Sequence, residues 1–221
     1  NSTGNQAPFL VHVSTQYVVG PNANPTSQRP DTPYTTYGVS KALAEEILHK
    51  SDVTNWMIVR PSAVWGPRHP SFATVLLPLI EKRWLLIPNK AALRSYIHAR
   101  DLARYLTELL PDGDNQRRRE VHYLAERPAD QAEVLDSFSL ALTGRKTRRV
   151  PYWALRVLSW PSMVPGLRRY WPLTKTRLEI LSSDYMLPET IPRIGARMTS
   201  RLDVDHVQEF IDWYRRASSS T

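Results

Sequence analysis

Phe9-Leu10-Val11-His12-Val13-Ser14-Thr15 is a short apolar run, rich in β-branched residues, that ends on two hydroxyls; it predicts a buried strand. Gly20 to Pro33 then carries four prolines among Asn, Ser and Asp, which is turn chemistry and leaves no room for regular structure. From Tyr37 to Lys50, Val39, Leu43, Ile47 and Leu48 recur at helical spacing among Ala, Glu and Lys, so an amphipathic helix is expected. Trp56-Met57-Ile58-Val59 is a second buried run, stopped at Pro61 because proline has no amide to donate to a ladder. Strand, helix, strand is the parallel crossover unit of an α/β sheet, and ligands of such sheets sit beyond the carboxyl ends of the strands. Thr15 and Ser62 are therefore expected to face one crevice.

Downstream, Ser71 to Ile80, Asp101 to Leu110 and Val204 to Arg216 have helical patterns, and Ser95 to His98 is extended. From Val121 onward mostly helices and loops are expected. The segment Val150 to Pro172 holds three of the seven tryptophans, Trp153, Trp160 and Trp171, and predicts an irregular, aromatic-packed capping lobe. Tryptophan beside arginine also suits a membrane interface or the mouth of an apolar pocket.

With 221 residues, 42% of them hydrophobic, the chain can bury a sizeable core. Zero cysteines exclude disulfides, thiolate metal sites and cysteine nucleophiles, and no metal is expected. No apolar run reaches roughly eighteen residues and the N-terminus lacks a charged-then-apolar leader, so a cytoplasmic protein is expected, with peripheral membrane contact as an option. The net charge of +8 falls in short clusters at Arg117–Arg119, Arg145–Arg149 and Arg168–Arg169, which read as solvated surface. No nucleic-acid recognition motif accompanies them.

Tyr37 and Lys41 stand four apart, on one face of the predicted helix. An ammonium beside a phenol favours the phenolate. Tyr37 can then move a proton while Thr15, at the end of the preceding strand, holds the substrate oxygen.

Together these segments resemble the extended short-chain dehydrogenases/reductases, the NAD-dependent epimerase/dehydratase superfamily. Val13 to Gly20 is similar to the strand bearing that family's catalytic Ser/Thr, and Tyr37-Gly38-Val39-Ser40-Lys41 to its catalytic signature. Arg60-Pro61-Ser62-Ala63-Val64-Trp65-Gly66-Pro67 resembles the segment passing the nicotinamide and the substrate. Arg94-Ser95-Tyr96-Ile97-His98-Ala99-Arg100-Asp101 is similar to the segment that recloses the substrate lobe. The resemblance implies the C-terminal part of a Rossmann-type doubly wound parallel sheet in residues 1–110, followed by a mostly helical substrate lobe in 111–221. It implies NAD or NADP as cofactor, held by Tyr37, Lys41, Pro61, Ser62 and Val64. Thr15, Tyr37 and Lys41 are the implied catalytic centre, and Thr15, Gln16, Tyr17, Ala63 and Arg94 the implied substrate contacts.

Departures narrow the reading. No glycine-rich dinucleotide fingerprint occurs among the eight glycines, so a nucleotide-binding N-terminal half, on the order of a hundred residues, is expected as a missing or complementary piece. The isolated chain is then expected to be inactive. Gln16-Tyr17 replaces the Asp-Glu pair of the dehydratases, and Val19 and Ala63 replace polar residues common in sugar-nucleotide epimerases. Val18 to Asn22 and the Pro151-Tyr152-Trp153 lobe look more like the 3β-hydroxysteroid dehydrogenase branch. The expected activity is hydride transfer at a secondary alcohol or ketone of an apolar, steroid-like or long-chain small molecule. A nucleotide-sugar epimerase or reductase, and an inactive binding module, are the alternatives. A membrane surface touching residues 150–172 and a homodimer are the further partners left open.

Overall fold

The computed structural model describes residues 9–21, 32–108, 119–126, 128–164, 171, 173–187 and 204–219. The proline-rich loop over 22–31, Arg117 and Arg118, Arg168 and Arg169, and Pro172 lie outside the described residues. The chain runs through β1 (Leu10–Val13), α1 (Thr36–Lys50), β2 (Trp56–Pro61), β3 (Ala63–Trp65), α2 (Leu77–Glu81), β4 (Leu86–Pro88), β5 (Leu93–Arg94) and β6 (Tyr96–His98). It continues through α3 (Ala99–Glu108), β7 (Glu120–Leu124), β8 (Ala129–Asp130), α4 (Gln131–Thr143), β9 (Arg148–Val150), α5 (Tyr152–Ser159), α6 (Lys175–Ser182) and α7 (Val204–Ser219).

β1, β2 and β7 form a parallel sheet in that order, Leu10 opposite Trp56 and Met57 opposite Glu120. Alternation along β2 explains why its run is apolar throughout. Trp56 and Ile58 pack with Leu48 of α1 on one face, while Met57 and Val59 pack with Ile97 and Tyr105 of β6 and α3 on the other. Both faces of the sheet are covered, so every side chain of β2 is buried. Among the described residues β1 pairs on one side only.

A second core lies downstream, where Trp65, Leu77, Ile80, Ile87, Phe138 and Phe210 join β3, α2, β4, α4 and α7. Three short strand pairs frame it, β3 with β6, β4 with β9, and β5 with β8.

Three expectations are corrected. Residues Glu120 to Leu124, within the stretch expected to be mostly helix and loop, form the third strand of the main sheet. The lobe expected to be irregular contains α5 and a 3-10 turn over Trp160–Met163. On α1, Val39, Leu43 and Ile47 are exposed, and the buried positions are Gly38, Glu45 and Leu48. Glu45 turns inward because Arg60 of β2 waits there. Arg60 Nε donates to Glu45 Oε1 at 3.0 Å and Nη2 to Oε2 at 2.5 Å, both side chains being fully buried. Tyr123 of β7 accepts from Nη1 and lies under the guanidinium. Burial works against the Arg60 cation, and Glu45 with Tyr123 more than reverses this, holding it above its ordinary range.

Candidate active site

β1 ends at Val13, and Thr15 caps a 3-10 turn over Gln16–Val18, its hydroxyl accepting from the Tyr17 amide at 3.3 Å. Thr35 caps α1 in the same way, accepting from the Gly38 amide at 2.9 Å. These two starts press together. A Cβ on Gly38 would stand 2.2 Å from the Tyr17 carbonyl oxygen, so only glycine allows the first turn of α1 to lie against the turn that follows Thr15. Neighbouring Tyr37 is thereby aimed at the same opening as Thr15. Lys41, one helical turn on, donates to the Val13 carbonyl at 2.9 Å.

Thr15, Tyr17, Tyr37, Pro61, Ser62, Ala63, Val64 and Arg94 all line one cavity of about 760 Å³. Ligand sites for drug-sized molecules have this scale. Gln16 and Lys41 are not among its lining residues; Gln16 is buried beside Thr15, with no partner for its side-chain nitrogen among the described residues. The far wall is apolar, with Phe72, Leu76, Val134, Leu135, Phe138 and Leu155.

Arg94 is the buried cation of this wall. Its Nη1 donates to the Tyr17 hydroxyl at 3.5 Å and its Nη2 to the Ile180 carbonyl at 3.0 Å, and the guanidinium lies over the Tyr185 ring. Its Nε is buried without a partner among the described residues, the condition of a donor awaiting an acceptor. Burial pushes the Tyr185 phenol up to about 12, Tyr17 adding to the rise and Arg94 opposing it. It stays protonated.

Sequence reasoning missed His69, which also lines the cavity and which burial holds below the usual imidazole range. It read Gly66 only as part of the Arg60–Pro67 run and gave it no role; at φ +130°, a Cβ there would come within 2.9 Å of His98 Nε2. That contact explains the glycine after Trp65. The signal for Gly38 lay in the Tyr-Gly-Val-Ser-Lys run itself, and the signal for Glu45 in an arginine set inside an apolar strand.

The site can be compared with known proteins on this geometry. Residues 3–124 match the NAD dependent epimerase/dehydratase family. The chain belongs to that family. No curated protein matches the sequence. Among solved structures, a human epimerase family protein with NADPH shares 20% identity at a TM-score of 0.64, over 95% of this chain and 68% of that one. UDP-glucuronic acid 4-epimerase from Bacillus cereus in complex with NAD shares 17% at 0.61, over 97% and 63%. dTDP-glucose 4,6-dehydratase from Bacillus anthracis, also with NAD, shares 18% at 0.55, over 96% and 63%. This family member spans 61–64% of the sugar-nucleotide enzymes it resembles. At these identities the likeness establishes a Rossmann-type fold.

NAD or NADPH is the cofactor of the family and of these neighbours. The residues present fit its nicotinamide end. Tyr37 is half exposed at the opening, and the Ser14 and Ser62 hydroxyls, both on cavity-lining residues, are buried without partners among the described residues. A glycine-rich turn for the pyrophosphate is absent from this sequence. Among the described residues no helix is long and apolar enough to cross a membrane, and no cluster of His, Asp and Glu could hold a metal.

Proposed function

We propose that this family member supplies the catalytic and substrate-binding part of an NAD(P)-dependent enzyme that transfers hydride at a secondary carbinol or ketone. The observation that carries the reading is that Thr15 and Tyr37, from separate elements, meet on the wall of one cavity whose remaining lining is mainly apolar.

A nicotinamide held at this site would supply the hydride chemistry at the carbinol or carbonyl carbon. Thr15 holds the reacting oxygen by a hydrogen bond. The Tyr37 phenolic oxygen takes the hydroxyl proton during oxidation and gives it back during reduction. Lys41, one turn on from Tyr37, would hold the nicotinamide ribose, and Pro61, Ser62 and Val64 would bound the nicotinamide side. Gln16, Tyr17, Ala63 and Arg94 contact the substrate. The nucleotide-binding half would pair with the outer edge of β1. Supporting this is the ladder geometry: Leu10 and Ser14 donate to Asn55 and Val59, so alternation turns Val11 and Val13 to the open side.

Two substrate classes compete. Apolar walls favour a ketone or alcohol with a large hydrocarbon body. The nucleotide-sugar reading has the better support from comparison, since solved neighbours include enzymes of UDP-sugars and dTDP-glucose, and the open Nε of Arg94 could meet a phosphate. Nothing in the comparisons singles out the hydroxysteroid branch. Calorimetry on the chain joined to its nucleotide-binding half separates the two. Micromolar binding of a UDP-sugar, with none for a steroid-like ketone, would assign the nucleotide sugar and reject the apolar class. Absence of any nicotinamide binding or hydride transfer would reject the enzyme reading altogether.

A further inference from the structure

Residues 144–178 contain nine Lys and Arg and no Asp or Glu, whereas the rest of the chain has 20 basic against 21 acidic residues. The protein's entire net positive charge therefore sits in this one segment. Within it Arg145, Lys146, Arg148 and Arg156 are exposed, while Arg149 is engaged by Asp136 at 2.7 Å.

The same segment carries large apolar side chains into solvent. Leu155 and Ser159 form the inner face of α5. On the outer side Trp153 is 69% exposed, Val157 61%, Trp160 69% and Met163 67%. Their spacing of four, three and three puts them on one helical stripe, with Arg156 beside it. A stripe of this size facing water marks a binding surface. It also adjoins the cavity, because Leu158, exposed on the same helix, is one of the lining residues. Trp171, another lining residue, is fixed there by its indole donating to the Leu158 carbonyl at 2.7 Å.

From this geometry we infer that α5 and the 3-10 turn after it dock on an anionic phospholipid surface. The indoles of Trp153 and Trp160 enter the interface, and Arg145, Lys146, Arg148 and Arg156 meet the headgroups. Indole rings suit the interface because one edge is apolar and the N–H stays wet. Exposed guanidinium and ammonium groups add the attraction of the negative leaflet. An acidic protein partner would use the charge but would not call for two fully presented indoles beside the mouth of an apolar cavity. The docking does not depend on the catalytic roles proposed above.

Sedimentation of the protein with vesicles tests it. Phosphatidylcholine vesicles containing phosphatidylserine should bind at least about tenfold more protein than phosphatidylcholine alone, given the headgroup attraction expected of several basic residues, and salt should release it. Trp153→Ser with Trp160→Ser should abolish binding without changing the melting temperature, and Arg156→Glu should weaken it. Equal binding to both vesicles, or undiminished binding by the tryptophan variant, would overturn the inference. So would a vesicle-free dimer that the tryptophan variant dissolves, since the stripe would then be an interface between copies.

Discussion

Lys41 and Val13 are joined by a 2.9 Å hydrogen bond from the ammonium to the last carbonyl of β1, across 28 positions of sequence. The carbonyl lies on the open edge of the sheet, so the lysine ties α1 to the strand end that precedes Thr15. Lys41→Met should lower nicotinamide affinity and turnover together in the complete enzyme, and cost only about 1 kcal/mol of stability, the scale of one hydrogen bond. Cofactor titration and urea unfolding measure the two effects. Unchanged cofactor affinity would leave Lys41 with its tether alone.

Tyr37→Phe keeps the ring and removes the proton. With the side chain half exposed, the fold should be unaffected, and hydride transfer followed at the nicotinamide absorbance should fall by about 10²–10⁴-fold, the range of general acid-base contributions. A variant with half the original rate would show that another group moves the proton.

Glu45→Ala leaves the fully buried Arg60 cation without its carboxylate. The expected loss is about 3–5 kcal/mol in denaturant unfolding, because an uncompensated buried charge is the most expensive remnant of a broken pair. Replacing both residues, as Glu45→Leu with Arg60→Met, should recover most of it. Equal losses for the single and double variants would argue that packing volume, and not charge, sets the cost.

Gly38→Ala drives a methyl into the Tyr17 carbonyl oxygen, 2.2 Å from where the Cβ must be. Either the helix start or the turn after Thr15 must move. Overpacking of this kind costs about 1–3 kcal/mol, and turnover should drop further than the loss of folded protein explains, since Thr15 and Tyr37 separate. A variant with normal kcat would mean that their spacing tolerates the shift.

Burial pushes the Glu126 carboxyl up to about 7, against the His98 amide that donates to it at 2.8 Å and with Asp101 adding to the rise. The folded state thus holds this proton more tightly than the unfolded chain. The resulting stabilisation, on the order of 3 kcal/mol, is complete below the ordinary carboxylate range and is lost as pH rises through about 7. Relative to Glu126→Gln, the protein should therefore lose stability between about pH 4.5 and 7. Parallel pH profiles of the two in thermal unfolding would expose a carboxyl that titrates normally.

β1 and β2 were legible because their hydrophobic runs end on clear signals, the hydroxyls at Ser14 and Thr15 and the proline at Pro61, and α1 because helix formers fill it. β7 was hidden because Glu120 and His122 interrupt its apolar residues, and these two satisfy each other at 2.7 Å. On α1 periodicity misled. It assigns apolar residues inward, and the partner that draws Glu45 inward lies on another strand, beyond any local pattern. Thr15, Tyr37, Ser62 and Arg94 were found from motif order and do share a cavity. His69 was invisible, since its place in the wall comes from the fold of the second core and not from neighbours in sequence.

The contact between Gly38 and the Tyr17 carbonyl has a consequence for how such an enzyme can diverge. Tyr37 is positioned relative to Thr15 by main chain pressed on main chain, with no intervening side chain that mutation could resize. Much of the cavity wall comes instead from side chains after Gly66, on α2, α4, α5 and α6. Under the proposed function, substrate preference can therefore drift through residues such as Phe72, Leu135 and Leu155 while the spacing of Tyr37 and Thr15 stays fixed, so that retargeting and chemistry would be inherited separately.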